Sequence, residues 1–380
     1  MPELHSYEEV RRRAAKVLPP TLFEDMTHGT GRGVTARANE AAFDRVDLVP
    51  RAAVGWEQRS LTTTVLGTEV SMPVLAAPVG GLRMVHPDGA PGVAEACGRA
   101  GTIAVVSMMA GHGVDAVADR ATGPVWQQVY LSHGHERCAQ IIADARRRGF
   151  SAIVVTVDCP VSPKRPVGLS ISLASARAFG PELVRRPGWT ARFLRDGADL
   201  AAAQQAMGPR LRQTALWSDL AWLRQQWGGP LVVKGIVTAA DARRAADAGV
   251  DAIVVSNHGG MSLDGSPATL SALPAVVAEV GSEVEVYLDG GVRQGSDVLR
   301  ALGLGARAVL VGRPTLLGLA VGGAAGVTAV FELLRHQLDV SLAMVGAEHI
   351  TDIDPTYVRA PQSWSSVADP STHVTIGGAG

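Results

Sequence analysis

An α/β protein built on a closed (β/α)8 barrel, a TIM barrel, is the fold this sequence predicts. Three observations predict it: eight short apolar runs, helical patterns between most of them, and a polar residue where nearly every run ends. The runs are 74–78 (VLAAP), 102–107 (TIAVVS), 124–130 (PVWQQVY), 151–157 (SAIVVTV), 231–235 (LVVKG), 251–256 (DAIVVS), 284–289 (VEVYLD) and 307–312 (RAVLVG). Short, aliphatic and rich in β-branched residues, they fit strands buried on both faces, as in a parallel sheet. Residues 136–148, 239–248, 267–280 and 295–302 carry helical spacing, which gives the alternation of βα units. Eight such units in one chain fit a closed barrel. A doubly wound sheet is the alternative, but no GxGxxG follows the first run, so its dinucleotide-binding version has no support.

Taken in order, the chain begins with Ser6 and Glu9 at capping-box spacing, so Tyr7–Val17 reads as a helix that Pro19-Pro20 stops. Residues 1–70 form a helical lead-in packed on the barrel, 71–355 the barrel, and 356–380 a tail. The rhythm breaks once, after strand 4, where 158–230 is rich in Pro, Gly and Arg (SPKRPVG, RRPGW) and ends in a helical pattern at 218–227. A long insertion on a barrel's catalytic face reads as a lid or binding loop, or as an ornamental loop. The uncharged, Gly- and Ala-rich stretch 315–331 falls short of the ~20 apolar residues a membrane span needs and reads as a packed barrel helix.

Composition narrows the function classes. A hydrophobic content of 47% with 19% charged residues is that of a folded domain, and 4% aromatics means aliphatic and alanine packing. Lys plus Arg at 35 against Asp plus Glu at 36 leaves no surplus positive charge with which to hold nucleic acid or an anionic membrane, so the expected partner is a small molecule. Cys97, Cys138 and Cys159 are widely spaced and without a CxxC pair, which suggests neither a disulfide framework nor a zinc site. His133 and His135 with Cys138 lack a fourth ligand, and no metal is expected. A reducing cytoplasm fits, as does an N-terminus (MPELHSYEEVRRRAAKV) with no apolar signal-peptide core.

Barrel active sites assemble at the C-terminal ends of the strands. There the sequence places Val79 and Gly80, then Ser107, Gln128 with Tyr130, Thr156 with Asp158, Lys234, Ser256 with His258, Asp289-Gly290-Gly291 with Arg293, and Gly312-Arg313. Loops after the last two strands are the usual phosphate cradle, and DGGVRQG with GRP supplies glycines, backbone N–H groups and two arginines. Lys234 interrupts an apolar strand, so it needs an anionic partner: negative charge developing on a cofactor, or an ion pair inside the barrel. His258 ends a buried strand before two glycines; it is either a strand-capping histidine or a base with Asp158 as its orienting carboxylate.

SNHGG, LDG, LDGGVRQGSDV and ARAVLVGRP at these separations, with TVD on strand 4 and VKG on strand 5, resemble the FMN-dependent 2-hydroxy-acid dehydrogenase and oxidase family from residue 7 to 355. The resemblance implies an FMN-binding barrel, with the FMN phosphate held at Gly290, Gly291, Arg293, Gly312 and Arg313 and with Asp289 among the cofactor-binding residues. It implies Lys234 beside the reduced flavin ring, flavin contacts from Val79, Gly80, Ser107, Gln128, Thr156 and Ser256, and His258 as the base partnered by Asp158. A homo-oligomer, commonly a tetramer, is implied as well; the electron acceptor, whether oxygen, quinone or protein, is left open.

Departures from the family pattern fall on the substrate side. The arginine that normally follows SNHGG and grips the substrate carboxylate is Met261, and the N-terminal tyrosine that shares this task is Asp25. A thioether cannot replace a guanidinium fork. Tyr130 and Arg165 match the remaining substrate-side tyrosine and arginine, and Met109 stands where a larger group is common. WGGP and LDGSPATLSALPAV resemble the branch of the mycofactocin-precursor deaminase, which also lacks the arginine. Expected, therefore, is oxidation at a C–OH or C–NH carbon of a non-standard substrate; ordinary 2-hydroxy-acid oxidation is the alternative. A flavin isomerase and a barrel that binds FMN without turnover are further alternatives, and the retained His258, Asp158 and Lys234 weigh against both.

Overall fold

The computed structural model describes residues 4–55, 57–161, 180–195 and 215–364. Eight parallel strands close into a barrel in chain order: β1 Val74–Ala76, β2 Ala104–Ser107, β3 Val125–Val129, β4 Ala152–Thr156, β5 Leu231–Ile236, β6 Ala252–Val255, β7 Glu285–Asp289 and β8 Ala308–Val311. Closure is made by β8 against β1, with Leu310 opposite Leu75. The predicted barrel is thus the observed one, with most strands a residue or two shorter than the apolar runs.

Alternation along each strand sorts the side chains into two cores. Leu75, Val105, Trp126, Val154, Val232, Val254, Tyr287 and Leu310 fill the barrel interior, and Val65 and Val70 of the antiparallel ribbon Thr63–Val65/Thr68–Val70 join that cluster. The residues between them, such as Ile153, Val155, Val233 and Ile253, pack outward against the helices. Burying each such aliphatic side chain contributes about 1.5–3 kcal/mol, and both sides of the barrel wall gain in this way.

Three N-terminal helices lie on this frame: α1 Tyr7–Val17, α2 Pro20–Thr27 and α3 Val34–Phe43. Ser6 accepts from Glu9 N and Glu9 accepts from His5 N, and α1 buries Tyr7, Val10 and Ala14. The described part of the insertion is tied to these helices and to the segment after β1. Glu182 accepts from Thr21 N at 3.1 Å, Arg186 donates to Leu18 O at 3.0 Å, and buried Trp189 donates to Met84 O at 3.1 Å.

The helix that runs from Arg313 to Met344 is apolar and long enough to cross a membrane by length and composition, and 67% of its most apolar window is buried against the protein. Backbone angles interrupt it at Gly322 (φ −156°, ψ 24°) and Gly323 (φ 60°, ψ −144°), and Asp88 accepts from Ala324 N at 2.9 Å where the helix resumes. On either side of the break Gly318 and Gly326 meet backbone to backbone: a Cβ on Gly326 would lie 2.0 Å from Gly318 O. Gly326→Val should therefore cost at least about 1–3 kcal/mol of stability. Its denaturant midpoint, compared with that of Gly228→Ala, where a Cβ meets nothing within 4 Å, checks this.

Candidate functional site

Strand parity builds the site. The residue two positions beyond an inward apolar side chain also points inward, at the C-terminal mouth; on β1 this is Ala77, after Leu75. On the other seven strands they are Ser107, Gln128, Thr156, Lys234, Ser256, Asp289 and Gly312, and they follow Val105, Trp126, Val154, Val232, Val254, Tyr287 and Leu310 of the interior cluster. Most are buried, and the polar ones form two hydrogen-bonded groups. Ser107 Oγ donates to Gln128 Oε1 at 2.8 Å, and Gln128 Nε2 donates to Thr156 Oγ1 at 3.0 Å. Lys234 Nζ donates to Ser256 Oγ at 2.7 Å and pairs with Asp289 Oδ2 at 2.9 Å. Burial disfavours the Lys234 ammonium, yet Asp289 and Asp158 outweigh that and raise its pKa above the ordinary lysine range. The ion pair inside the barrel is therefore present. Asp289 Oδ1 is buried with no hydrogen-bond partner among the described residues, an acceptor suited to a ligand hydroxyl or N–H.

The turn after β6 carries His258 with φ 61°, a left-handed conformation that costs a non-glycine residue about 1–2 kcal/mol. Several bonds hold it there. Ser256 Oγ accepts from His258 N at 3.0 Å, and Asn257 and Asn39 exchange two side-chain hydrogen bonds at 2.8 Å each, both residues buried. Asp264, further along the same loop, accepts from Arg32 N at 2.8 Å and Thr35 N at 2.9 Å and so caps α3. Gly260 is needed because a Cβ there would lie 2.6 Å from Ala36 N.

Two strands away, Asp158 stands just past β4. Gly235 makes room for it: a Cβ at that position, where φ is 114°, would lie 2.7 Å from Asp158 Cβ. Asp158 Oδ1 is 2.9 Å from His258 Nδ1, and Tyr130 Oη is 3.3 Å from His258 Nε2. Because a carboxylate only accepts, Nδ1 carries the proton; Nε2 of the neutral ring is then the acceptor and faces the phenol. Burial opposes the imidazolium, but the Asp158 charge and hydrogen bond outweigh it and push His258 up to about 10. Burial likewise works against the Asp158 carboxylate, and the charge and hydrogen bond of His258, with help from Lys234, hold its pKa below the usual range.

The cradle after β7 and β8 suits a phosphate. Gly290 and Gly291 have φ of 93° and 92°, and a Cβ on Gly291 would lie 2.2 Å from Asn39 O. Arg313 donates to Gly259 O at 2.7 Å, while its buried Nε has no hydrogen-bond partner among the described residues. Burial, together with neighbouring Arg293, lowers Arg313 to about 10, an unfavourable state for a guanidinium that a bound dianion relieves. Arg293 pairs with Glu40 at 2.8 Å and lies 4.9 Å from the centre of the Tyr7 ring. No Cβ clash requires Gly312.

Met261 lies with its Sδ 3.5 Å from Arg313 Nη2. Asp25 is buried on α2. Met109 donates its N–H to Ser107 Oγ at 3.1 Å and its carbonyl accepts from Gly81 N at 2.8 Å, which ties the loop of Val79 and exposed Gly80 to the loop after β2. Arg165 lies outside the described residues. His133, His135 and Cys138 do not converge: His135 is 3.0 Å from Asp219, and Cys138 donates to Tyr130 O at 3.3 Å.

Two features escape sequence reasoning. Asn39 is an anchor of the His258 turn, and nothing in its helical context marks it as one. Cys159 Sγ lies 3.3 Å from His258 Nδ1. Its adjacency to Asp158 was the available signal, but cysteine spacing alone directs attention away from it. Replacing the Asp158 carboxylate with a neutral amide removes the strongest influences that raise His258 and leaves burial opposed by Cys159. Asp158→Asn should therefore bring the histidine down from about 10 toward its ordinary ~6.5, as read by NMR titration of the ring protons.

Comparison with known proteins agrees with this geometry. A family model described as FMN-dependent dehydrogenase matches residues 14–360. Pre-mycofactocin synthase from Mycobacterium tuberculosis is 38% identical over 371 residues, covering 92% of this chain and 93% of that one. L-lactate oxidase from Nostoc sp. is 37% identical over 370 residues, covering 94% and 97%. The crystal structure of the monotopic membrane protein (S)-mandelate dehydrogenase superposes with a TM-score of 0.86 at 31% identity, covering 94% of this chain and 100% of that one. The chain therefore belongs to the FMN-dependent dehydrogenase family and is an oxidoreductase with FMN as its cofactor.

Proposed function

We propose that this enzyme oxidises a small organic substrate at a C–OH or C–NH carbon, with His258 as the base, and that its substrate is not a simple 2-hydroxy acid. The observation that carries the reading is the His258 arrangement: Nδ1 bonded to Asp158 at 2.9 Å, Nε2 open toward the Tyr130 hydroxyl at 3.3 Å. When bound, FMN supplies the two-electron acceptor. His258 Nε2 takes the substrate proton, and Asp158 stabilises the imidazolium that results. Tyr130 orients the reacting oxygen or nitrogen. Lys234, held by Ser256, would place a positive charge that stabilises the negative charge the cofactor acquires on reduction. Arg313, Arg293, Gly290 and Gly291 would hold the phosphate, with Gly312, Val79, Gly80, Ser107, Gln128, Thr156 and Asp289 contributing the rest of the cofactor site.

Met261 motivates the substrate reading. It occupies the position after SNHGG where the family pattern places a carboxylate-gripping arginine, and Asp25 replaces the companion tyrosine. Neither favours a carboxylate beside the reacting carbon. The relationship to pre-mycofactocin synthase supports the same reading. Ordinary 2-hydroxy-acid oxidation is the second reading, favoured by Tyr130 and Arg165 and by the similarity to L-lactate oxidase. Oxygen, a quinone or a protein serves as acceptor, and the reading includes a cytoplasmic homo-oligomer, a tetramer by resemblance.

Anaerobic mixing of the flavoprotein with glycolate, lactate, mandelate and a set of aromatic amines, followed by flavin absorbance, separates the readings. Bleaching by amines or neutral alcohols alone is expected, and rapid bleaching by a simple 2-hydroxy acid would overturn the substrate claim. His258→Ala should abolish bleaching with FMN still bound. Only the neutral imidazole accepts a proton, so kcat/KM should climb with pH toward about 10 as His258 loses its proton. In Asp158→Asn the climb should move to lower pH and the maximum should fall; an unmoved profile would remove His258 as the titrating group.

A further inference from the structure

The proposed chemistry uses His258 and Asp158 but leaves a third group at the same point without a task. Cys159 Sγ is 3.3 Å from His258 Nδ1 and 3.4 Å from Asp158 Oδ1, and one ligand atom from each of the three residues lies within 4.8 Å of the others. The second carboxylate oxygen, Asp158 Oδ2, is buried with no hydrogen-bond partner among the described residues, on a side chain only 10% exposed. We propose that Asp158, Cys159 and His258 form a binding site for one thiophilic divalent cation, zinc or cadmium, and that occupancy of this site silences the base.

Tetrahedral zinc with bonds of about 2.0–2.1 Å to nitrogen, 2.0–2.2 Å to oxygen and 2.3 Å to sulfur requires its ligand atoms to stand about 3.4–3.6 Å apart. The three observed separations are 2.9, 3.3 and 3.4 Å, so rotation of side chains by a few tenths of an ångström opens the triangle around an ion. Oxygen, nitrogen and sulfur donors together suit a borderline-soft cation better than magnesium or calcium. A carboxylate and a thiolate match its double charge, and the fourth position stays with water. Lys234, whose charge Asp158 feels, is engaged by Asp289 and Ser256 at 2.9 and 2.7 Å.

Binding changes the tautomer of the base. A cation on Nδ1 displaces the proton that Asp158 held there, and in the neutral ring that proton moves to Nε2, the atom that must accept from substrate. The thiol loses its proton to solvent, so one proton is released for each ion bound to the neutral histidine. The ion-binding claim rests on the geometry alone; its inhibitory consequence rests on His258 being the base.

Cadmium tests the two separately. The chain has three cysteines, and Cys97 and Cys138 are buried, with burial pushing both thiols up, Cys138 to about 12. A cadmium–thiolate absorption band in the native flavoprotein therefore reports Cys159. Titration with cadmium chloride should give that band at one equivalent, with proton release, and zinc chloride should abolish it by competition. Cys159→Ser and Cys159→Ala should each lack the band while retaining FMN, and Cys138→Ser should keep it. Absence of a band in the wild type, or a band undiminished in both Cys159 variants, would overturn the site. Flavin bleaching by an active substrate, normalised to each variant's own metal-free rate, should fall with zinc in the wild type and not in Cys159→Ser. A cadmium band without loss of bleaching would leave the metal site standing and remove the claim that it silences a base at His258.

Discussion

Everything at the mouth of this barrel depends on the two-residue period of its strands. Closure leaves each strand one inward row, and an inward row that is apolar at the centre must end in whatever the mouth requires. Val232 and Lys234 on β5, or Tyr287 and Asp289 on β7, are therefore parts of one constraint. A one-residue slip of β5 would send Lys234 outward among the helices and turn Val233 into the cavity. The cost of that slip is the loss of both cores, so packing far from the chemistry fixes the positions of the polar groups.

Charge is then accommodated by pairing across strands. Lys234 with Asp289 and His258 with Asp158 are each near 2.9 Å, and each pair puts opposite charges where either alone would be expensive to bury. The pairs are also coupled, because Asp158 favours the charged forms of both His258 and Lys234. Removing one partner leaves an uncompensated buried charge, which is the costly outcome, so the four residues are held as a unit by electrostatics as much as by packing. Asp158 reaches its place only because Gly235 carries no side chain, which gives the glycine of VKG a steric reason beside its lysine.

The fold and the row of strand-end residues were legible because both follow from periodicity, which a sequence displays directly. Contacts between loops were not. Asp158 and His258 are 100 positions apart, and only folding shows that their side chains meet. Asn39 belongs to a helix whose pattern explains it as ordinary, and its role appears only when the His258 turn is laid against α3. Cys159 was hidden by the habit of reading cysteines against other cysteines, since its partners are a carboxylate next door and an imidazole in the turn after β6. The Gly322–Gly323 break shows the same limit: a run of small apolar residues reads as one continuous element until backbone angles divide it.

Met261 ties these strands of argument together. A substrate carboxylate needs an uncommitted cation near His258, and among the described residues the cations around the His258 loop have other duties. Lys234 is bound to Asp289, Arg293 to Glu40, and Arg313 to the Gly259 carbonyl, with its Nε buried. Arg313 does extend toward Met261, but the contact it makes is with a thioether sulfur at 3.5 Å, a weak acceptor that leaves the local charge unchanged. On the proposed reading, substitution of the family's arginine by Met261 subtracts one positive charge and a fork of donors from a site whose acidic groups remain. Electrostatics then favours a substrate that is neutral or cationic near its reacting carbon, while proton removal by His258 is untouched, because the base draws its strength from Asp158 on the opposite side of the ring.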